Sequence, residues 1–237
     1  EYMGRDPKFG NWRDTHVRIQ GPATLAAQLS FVEDWNWATG QVLELDWTPH
    51  PAPDGDSRVL IMPTGPADEL ETAALMFIHA INSARSRLWI ASPYFVPDEA
   101  VVAALQLAGL RGVDVRILIP DTPDHLAVFL AAYSYFDQVE DTGVKFYRYT
   151  DGFLHQKAML IDDVAAAIGT ANFDNRSFRL NFEVTAVIAD SALVSEVEQM
   201  FERDFARARI MKPGELDEKS FWFKLGTKLA RLTAPIQ

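Results

Sequence analysis

The chain contains no cysteine, which excludes disulfides and thiolate metal sites and leaves its redox compartment unreadable. It has no run of about 18 uncharged apolar residues and no visible signal peptide, so no stretch reads as a membrane span. Basic residues are few: 22 Lys and Arg against 33 Asp and Glu leave a formal charge of -11. That balance counts against a nucleic-acid partner, which needs a basic surface to displace counterions from phosphates. A local basic patch is still compatible with it. With 237 residues, 48% hydrophobic and 23% charged, the composition is that of a globular protein with a sizeable core, built as one large domain or two small ones.

What is present centres on residues 153–172, FLHQKAMLIDDVAAAIGTAN. His155, Lys157 and Asp162 form the pattern HxKxxxxD, and Gly169, Thr170 and Asn172 follow as GTxN. A chance match of the five positions His, Lys, Asp, Gly and Asn in a chain this long is rarer than roughly one in ten thousand. Residues 154–162 are predicted as a strand, short, apolar and bounded by turn residues. Alternation then turns His155 and Lys157 to one face and Gln156 and Asp162 to the other. An imidazole beside an ammonium suits phosphoryl transfer without a metal, one as nucleophile or acid/base, the other holding non-bridging oxygens. Asp162, at the expected hairpin turn, braces backbone on this reading. Asn172, past a second hairpin strand at 164–168, is a candidate amide donor to phosphate. The plain alternative is a core histidine beside a solvated lysine.

The chain also echoes itself. Residues 15–20 are predicted as a strand and 23–38 as a helix, with Pro22 in its first turn. The same pair returns as a strand at 183–189 and a helix at 190–208. A shift of 170 positions sets Val17 on Val187, Phe31 on Phe201, Asp34 on Asp204 and Trp35 on Phe205. The expected division is 1–45 as the tail of a first repeat, 46–57 as a Pro-rich linker, 58–210 as a complete domain and 211–237 as a C-terminal amphipathic helix. On that register a first motif is expected roughly 15 to 20 residues before Glu1, and a fragment of a longer protein is the expectation. Asp54 and Asp56 in the linker lack a ring of further oxygen ligands, which favours a solvated loop over a cation site.

From residue 58 strands at 59–62, 88–92, 113–119 and 144–149 alternate with helices at 67–84, 98–110 and 124–140. That order predicts an α/β sandwich with a parallel or mixed sheet and a site at strand-end loops. Loop 92–97 reads as a pocket wall, a lipid-chain contact or plain turn. In loop 120–125, Asp121, Asp124 and His125 are candidates to line the pocket, although Asp124 as the cap of the next helix explains most of the pattern. Residues 172–181, with Arg176 and Arg179 between Phe173 and Phe178, are a candidate seat for an anionic head group or a polar loop with packing aromatics. In 219–232, Trp222, Leu225, Leu229 and Leu232 share one helical face and Lys224, Lys228 and Arg231 another, which reads either as a membrane-surface anchor or as packing on the core, with Gly226 weakening the helix.

The HxKxxxxD and GTxN residues resemble the signature of the phospholipase D superfamily. Within it, GRDPKFGNWRDTHVRIQGPA, FVEDWNWATG, SPYFVPDEA, RGVDVRILIPDTPDH, GFLHQKAMLIDD and IGTANFDNRSFRLNFEV are similar to bacterial cardiolipin synthases, from Gly4 to about Ala208. The resemblance implies a phospholipase D-like α/β/α sandwich, its mixed, mostly parallel sheet flanked by helices. It implies His155, Lys157 and Asp162 as the catalytic set and Asn172, Thr170 and Glu183 as substrate-binding residues, with no metal and no cofactor. Glu183 would hold the second nitrogen of the catalytic imidazole, with Asp14 its equivalent in the N-terminal half. Such enzymes pair two motifs, one histidine attacking phosphorus and the other, more often the C-terminal one, protonating the leaving group. The implied reaction moves a phosphatidyl group between phosphatidylglycerol molecules through a phosphohistidine, at a membrane surface on the cytoplasmic face of the bacterial inner membrane. The upstream half or a second copy would complete the site. The rival reading is a metal-free phosphodiesterase, phospholipase D or nuclease working as a dimer of single-motif chains.

Overall fold

The computed structural model describes residues 6–53 and 55–237; residues 1–5 of the expected first-repeat tail and Asp54 of the expected linker lie outside the described residues. The N-terminal part holds β1 (Trp12–Arg13) and α1 (Thr24–Thr39). Alternation then runs through β2 (Arg58–Thr64), α2 (Thr72–Ser83), β3 (Arg87–Ala91), β4 (Phe95–Val96), α3 (Glu99–Leu110), β5 (Asp114–Pro120), α4 (Leu126–Val139) and β6 (Lys145–Tyr149). The motif region supplies β7 (Phe153–Leu154), β8 (Ala158–Ile161), β9 (Ala165–Gly169), β10 (Phe173–Asp174) and α5 (Asn175–Arg179). The chain closes with β11 (Glu183–Ala189), α6 (Ser191–Phe205), β12 (Ala208–Ile210) and α7 (Phe221–Arg231).

Eight strands form one sheet in the order β12-β6-β5-β3-β8-β9-β11-β2. Five of them, β2, β3, β5, β6 and β9, point the same way, although neighbours pair in parallel only at β3/β5 and β5/β6. Both faces of the central strands are apolar, as strands covered on both sides must be. Leu88 and Ile90 of β3 turn to the face covered by α2, α3 and α4, where Phe77, Leu105 and Phe136 meet them. Trp89 and Ala91 turn to the opposite face, which α6 covers with Val197, Phe201 and Phe205. Period-two alternation thus feeds two cores from one strand.

Three expectations are corrected here. Residues 15–20 are not a strand: Val17 and Ile19 pack beside Ile61, Ala186 and Ile188, and Val17 also against the α6-covered core. Their counterpart β11 is a strand because β9 and β2 ladder onto it, and among the described residues nothing does so for 15–20. The predicted motif strand at 154–162 is split, since β7 pairs with β1 whereas β8 pairs with β3 and β9, so the chain changes partners at 155–157. Asp124 caps no helix: α4 has His125 at its N-cap and no side-chain cap bond.

The repeat shift also holds a contrast. Phe201 and Phe205 of α6 are buried, but their partners Phe31 and Trp35 on α1 are 55% and 37% exposed, and α1 buries no residue. Among the described residues no helix is long and apolar enough to cross a membrane.

Candidate functional site

The site is assembled by two short strands far apart in sequence. β1 lies parallel to β7, with Phe153 N–H donating to the Asn11 carbonyl and His155 N–H to the Arg13 carbonyl, both at 2.8 Å. That register sets Asp14 beside the motif histidine, its Oδ2 3.1 Å from His155 Nδ1. Gly152 makes the approach possible: its φ is +105°, and a Cβ there would stand 2.1 Å from the Asn11 carbonyl oxygen. Side chains alternate, so Arg13 reaches the other way, donating to both carboxylate oxygens of buried Asp204 at 3.0 and 2.8 Å. Gln156, fully buried, donates to the same carboxylate at 2.9 Å and accepts from the Thr15 hydroxyl at 2.6 Å. Asp204 therefore clamps β1 to the motif from behind, leaving His155 and Lys157 on the open side.

Lys157 Nζ stands 3.0 Å from each ring nitrogen of His155 and donates to its carbonyl at 2.6 Å. The Trp12 ring lies 4.9 Å from the imidazole, centre to centre. Burial, then the neighbouring ammonium, holds the His155 pKa below its usual value, with Asp14 pulling it back up. Burial likewise lowers Lys157 to about 8, against the opposing pull of Asp14, Glu183, Asp174 and Asp124.

Asp162 stands at the other end of β8, roughly 13 Å of strand from Ala158 at about 3.3 Å per residue. Its carboxylate accepts from the backbone N–H groups of Arg85, Ser86 and Arg87 and from the Ser86 hydroxyl. Its φ of 49° makes the β8–β9 turn, and those donors lower its pKa to about 2 against burial, the largest influence, which raises it. The backbone brace expected for it is what it makes.

Thr170, Asn172 and Glu183 form a linked group. Thr170 Oγ1 accepts from Val184 N–H at 2.9 Å. Asn172 N–H donates to Ser177 Oγ at 3.0 Å, and that hydroxyl donates to Glu183 Oε1 at 2.9 Å. Asn181 Nδ2 adds a bond to the same oxygen at 3.0 Å. Asn172 Oδ1 is buried with no hydrogen-bond partner among the described residues. The expectation that Glu183 holds His155 is corrected: the carboxylate on that imidazole is Asp14. Gly169 allows β9 to pass close to β11, since a Cβ there would meet the Val184 carbonyl at 2.5 Å.

The surrounding loops also differ from expectation. In loop 92–97, Phe95 is core, stacked on Phe173 at 5.7 Å as β4 pairs with β10. Tyr94 instead hydrogen-bonds Asp124 through its hydroxyl. Residues 172–181 are not a loop but β10 and α5, with Phe173 and Phe178 buried against Phe77. Arg179 pairs with Glu71 at 3.0 Å, and Arg176 donates to the Asn181 side chain at 3.2 Å. Sequence reasoning missed Ser177 and Asp174. A D-x-x-S capping pattern at 174–177 was their signal, and Asp174 does cap α5 through Ser177 N–H at 2.7 Å.

Residues 77–205, a little over half of the chain, match the family described as cardiolipin synthase, PLD-like domain. Curated relatives named cardiolipin synthase A, from Pseudomonas entomophila and Pseudomonas aeruginosa, are each 49% identical over 236 residues and 100% of this chain, covering 49% and 48% of the relative. The chain thus spans about half the length of the curated relatives it matches. Among solved structures, Nuc of Salmonella typhimurium, a phospholipase D family member, superposes with a TM-score of 0.57 at 19% identity, covering 66% of this chain and 99% of Nuc. The phosphatidylserine synthase of Haemophilus influenzae gives 0.61 at 18% identity over 80% of this chain and 49% of that one. These structures share the α/β/α fold. With a family match over half the chain and a histidine-lysine pair at the mouth of that fold, the chain belongs to the cardiolipin synthase family of phospholipase D-like proteins.

Proposed function

We propose that the chain carries half of a phosphatidyltransferase site, which moves a phosphatidyl group from one phosphatidylglycerol to another through a phosphohistidine and so makes cardiolipin. One observation carries the reading: Asp14 takes Nδ1 of His155, and the Lys157 ammonium stands 3.0 Å from both ring nitrogens. A donor bond from Nδ1–H to a carboxylate fixes the tautomer and leaves Nε2 as the reacting nitrogen. The ammonium, with the Asn172 side chain, is then suited to the non-bridging oxygens of a phosphoryl group at Nε2.

Two imidazoles divide the work. One attacks phosphorus of the first phosphatidylglycerol, the P–O bond to glycerol breaks, and the other, protonated, gives its proton to the departing oxygen. A hydroxyl of the second phosphatidylglycerol returns a proton to that imidazole as it attacks phosphorus, and the P–N bond breaks. One phosphodiester replaces another, so no nucleotide is consumed. Asp162 takes no part and holds the turn.

The repeat suggests where the second imidazole belongs. Asp14, in the tail of the first repeat, serves the histidine of the second. Glu183 holds the corresponding place one residue out of the 170 register and is assigned to the first repeat's histidine on the complementary half. The upstream half is the proposed complement, covering Phe31 and Trp35 of α1, with 1–45 its tail, 46–57 a linker, 58–210 the second domain and 211–237 an appended helix. The place of work is the cytoplasmic face of the bacterial inner membrane. The test offers the protein extended upstream both phosphatidylglycerol vesicles and single-stranded DNA. Cardiolipin without DNA cleavage supports the reading, and DNA cleavage without cardiolipin supports the rival nuclease.

A further inference from the structure

We propose that α7 docks the chain on an anionic lipid surface, inserting Phe221, Trp222, Leu225, Leu229 and Leu232 among the head groups. The observation behind this is the direction in which the helix faces. α7 packs on α4 through Phe223, Thr227 and Ala230: the Phe223 ring meets Tyr133 at 5.0 Å, and Thr227 is buried. At Gly226 a Cβ would only touch Leu130, at 3.6 Å, so the packing does not require the glycine, and the helix runs through it unbroken. Arg231 donates to the Ser134 carbonyl at 3.1 Å, fastening the last turn.

An ordinary surface helix turns its polar side to water. α7 does the reverse. Phe221, Trp222, Leu229 and Leu232 are 71%, 76%, 57% and 77% exposed, and Leu225 is exposed between them. At about 100° per residue the five fall in one arc of about 100°, opposite the face that α4 covers. Of the two readings of this apolar face, packing on the core is therefore overturned. Ile236, just beyond the helix, adds to the same exposed apolar character.

Charge identifies the occupant. The chain as a whole carries -11, yet from Lys219 to Gln237 there is no acidic side chain; Lys219 and Lys224 pair with Glu215 and Asp217 just ahead of the helix and Arg231 turns to α4, which leaves exposed Lys228 beside the apolar arc. A second copy docking face to face would bring its own Lys228 against this one, whereas an anionic lipid surface complements it. Aromatic side chains at a helix end beside lysines are suited to the head-group layer. This deepens the phospholipid reading of the site and rests on it for its purpose.

The test is co-sedimentation of the 237-residue chain with phosphatidylcholine vesicles containing a minor share of phosphatidylserine. These carry the charge without the phosphatidylglycerol that the reaction consumes, so docking is read apart from turnover. The chain should bind them, and Leu225→Gln with Leu229→Gln should weaken binding about tenfold or more at unchanged circular dichroism and melting temperature. Lys228→Glu should weaken binding to these vesicles, as should added salt. No binding by the unmodified chain, or equal binding by the double variant, overturns the proposal. So does a dimer that the double variant splits, which would make the face a protein interface. Docking that persists without cardiolipin synthesis by the extended protein supports the surface and counts only against the reading of the site.

Discussion

Asp14 and His155 lie 141 positions apart and meet at 3.1 Å between Oδ2 and Nδ1, because β1 lies parallel to β7. The carboxylate raises the proton affinity of an imidazole that burial and Lys157 lower. Asp14→Asn keeps an acceptor for Nδ1–H but removes the charge. His155 is therefore expected to titrate at a lower pH still, read from its ring protons by NMR. In the protein extended upstream the rate should fall by about 10²- to 10⁴-fold. An unmoved titration would contradict the contact.

Glu183→Gln is expected to act differently. In this chain it should leave the His155 titration where it is, since Glu183 bonds Ser177 and Asn181 instead. In the extended protein it should lower transfer as severely as Asp14→Asn does. A Glu183 variant that shifts His155 but spares transfer would reverse the assignment of the two carboxylates.

Lys157 gives a pH prediction of definite sign. With its pKa lowered from 10.5 to about 8, the ammonium is lost as pH rises through about 8, and transfer should decline there. Lys157→Arg keeps a charge that does not titrate, so the decline should vanish while the rate drops. A decline that survives the arginine substitution would assign it to another group.

Asp162 is expected to matter for stability alone. Its pKa is lowered from 3.8 to about 2, so its contribution is fully present above 3.8 and is lost as pH falls through about 2. Asp162→Asn, which tolerates the positive φ, should cost about 1–3 kcal/mol near neutral pH by denaturant titration. Where the variant is folded, its transfer rate should match the parent; a rate loss at full folding would return Asp162 to the reaction.

Much of this was legible in the sequence because it is local. Strand-helix alternation from Arg58 and the parity of His155, Gln156 and Lys157 follow from periodicity, and Gln156 does point away into the Asp204 clamp. What was hidden is non-local. A two-residue strand such as β1 has no periodicity, so nothing in 12–14 announces that it will lie beside 153–155. The predicted strand at 15–20 has the right pattern and no ladder to join, and periodicity is blind to a missing neighbour. Asp124 looked like a cap because it precedes a helix, but the Tyr94 hydroxyl claims its carboxylate. For α7 the sequence separates an apolar from a cationic face, and only packing tells that α4 takes the less apolar side.

The central claim is that His155, held by Asp14, performs phosphatidyl transfer with an imidazole from a complementary half. The most direct measurement is cardiolipin formation in phosphatidylglycerol vesicles by the 237-residue chain, by the protein extended upstream, and by the extended protein with His155→Ala. The account predicts synthesis by the extended protein alone and its loss with His155→Ala. Cardiolipin formed at the same rate without His155 would contradict it, and synthesis by the short chain would replace the upstream half with a second copy.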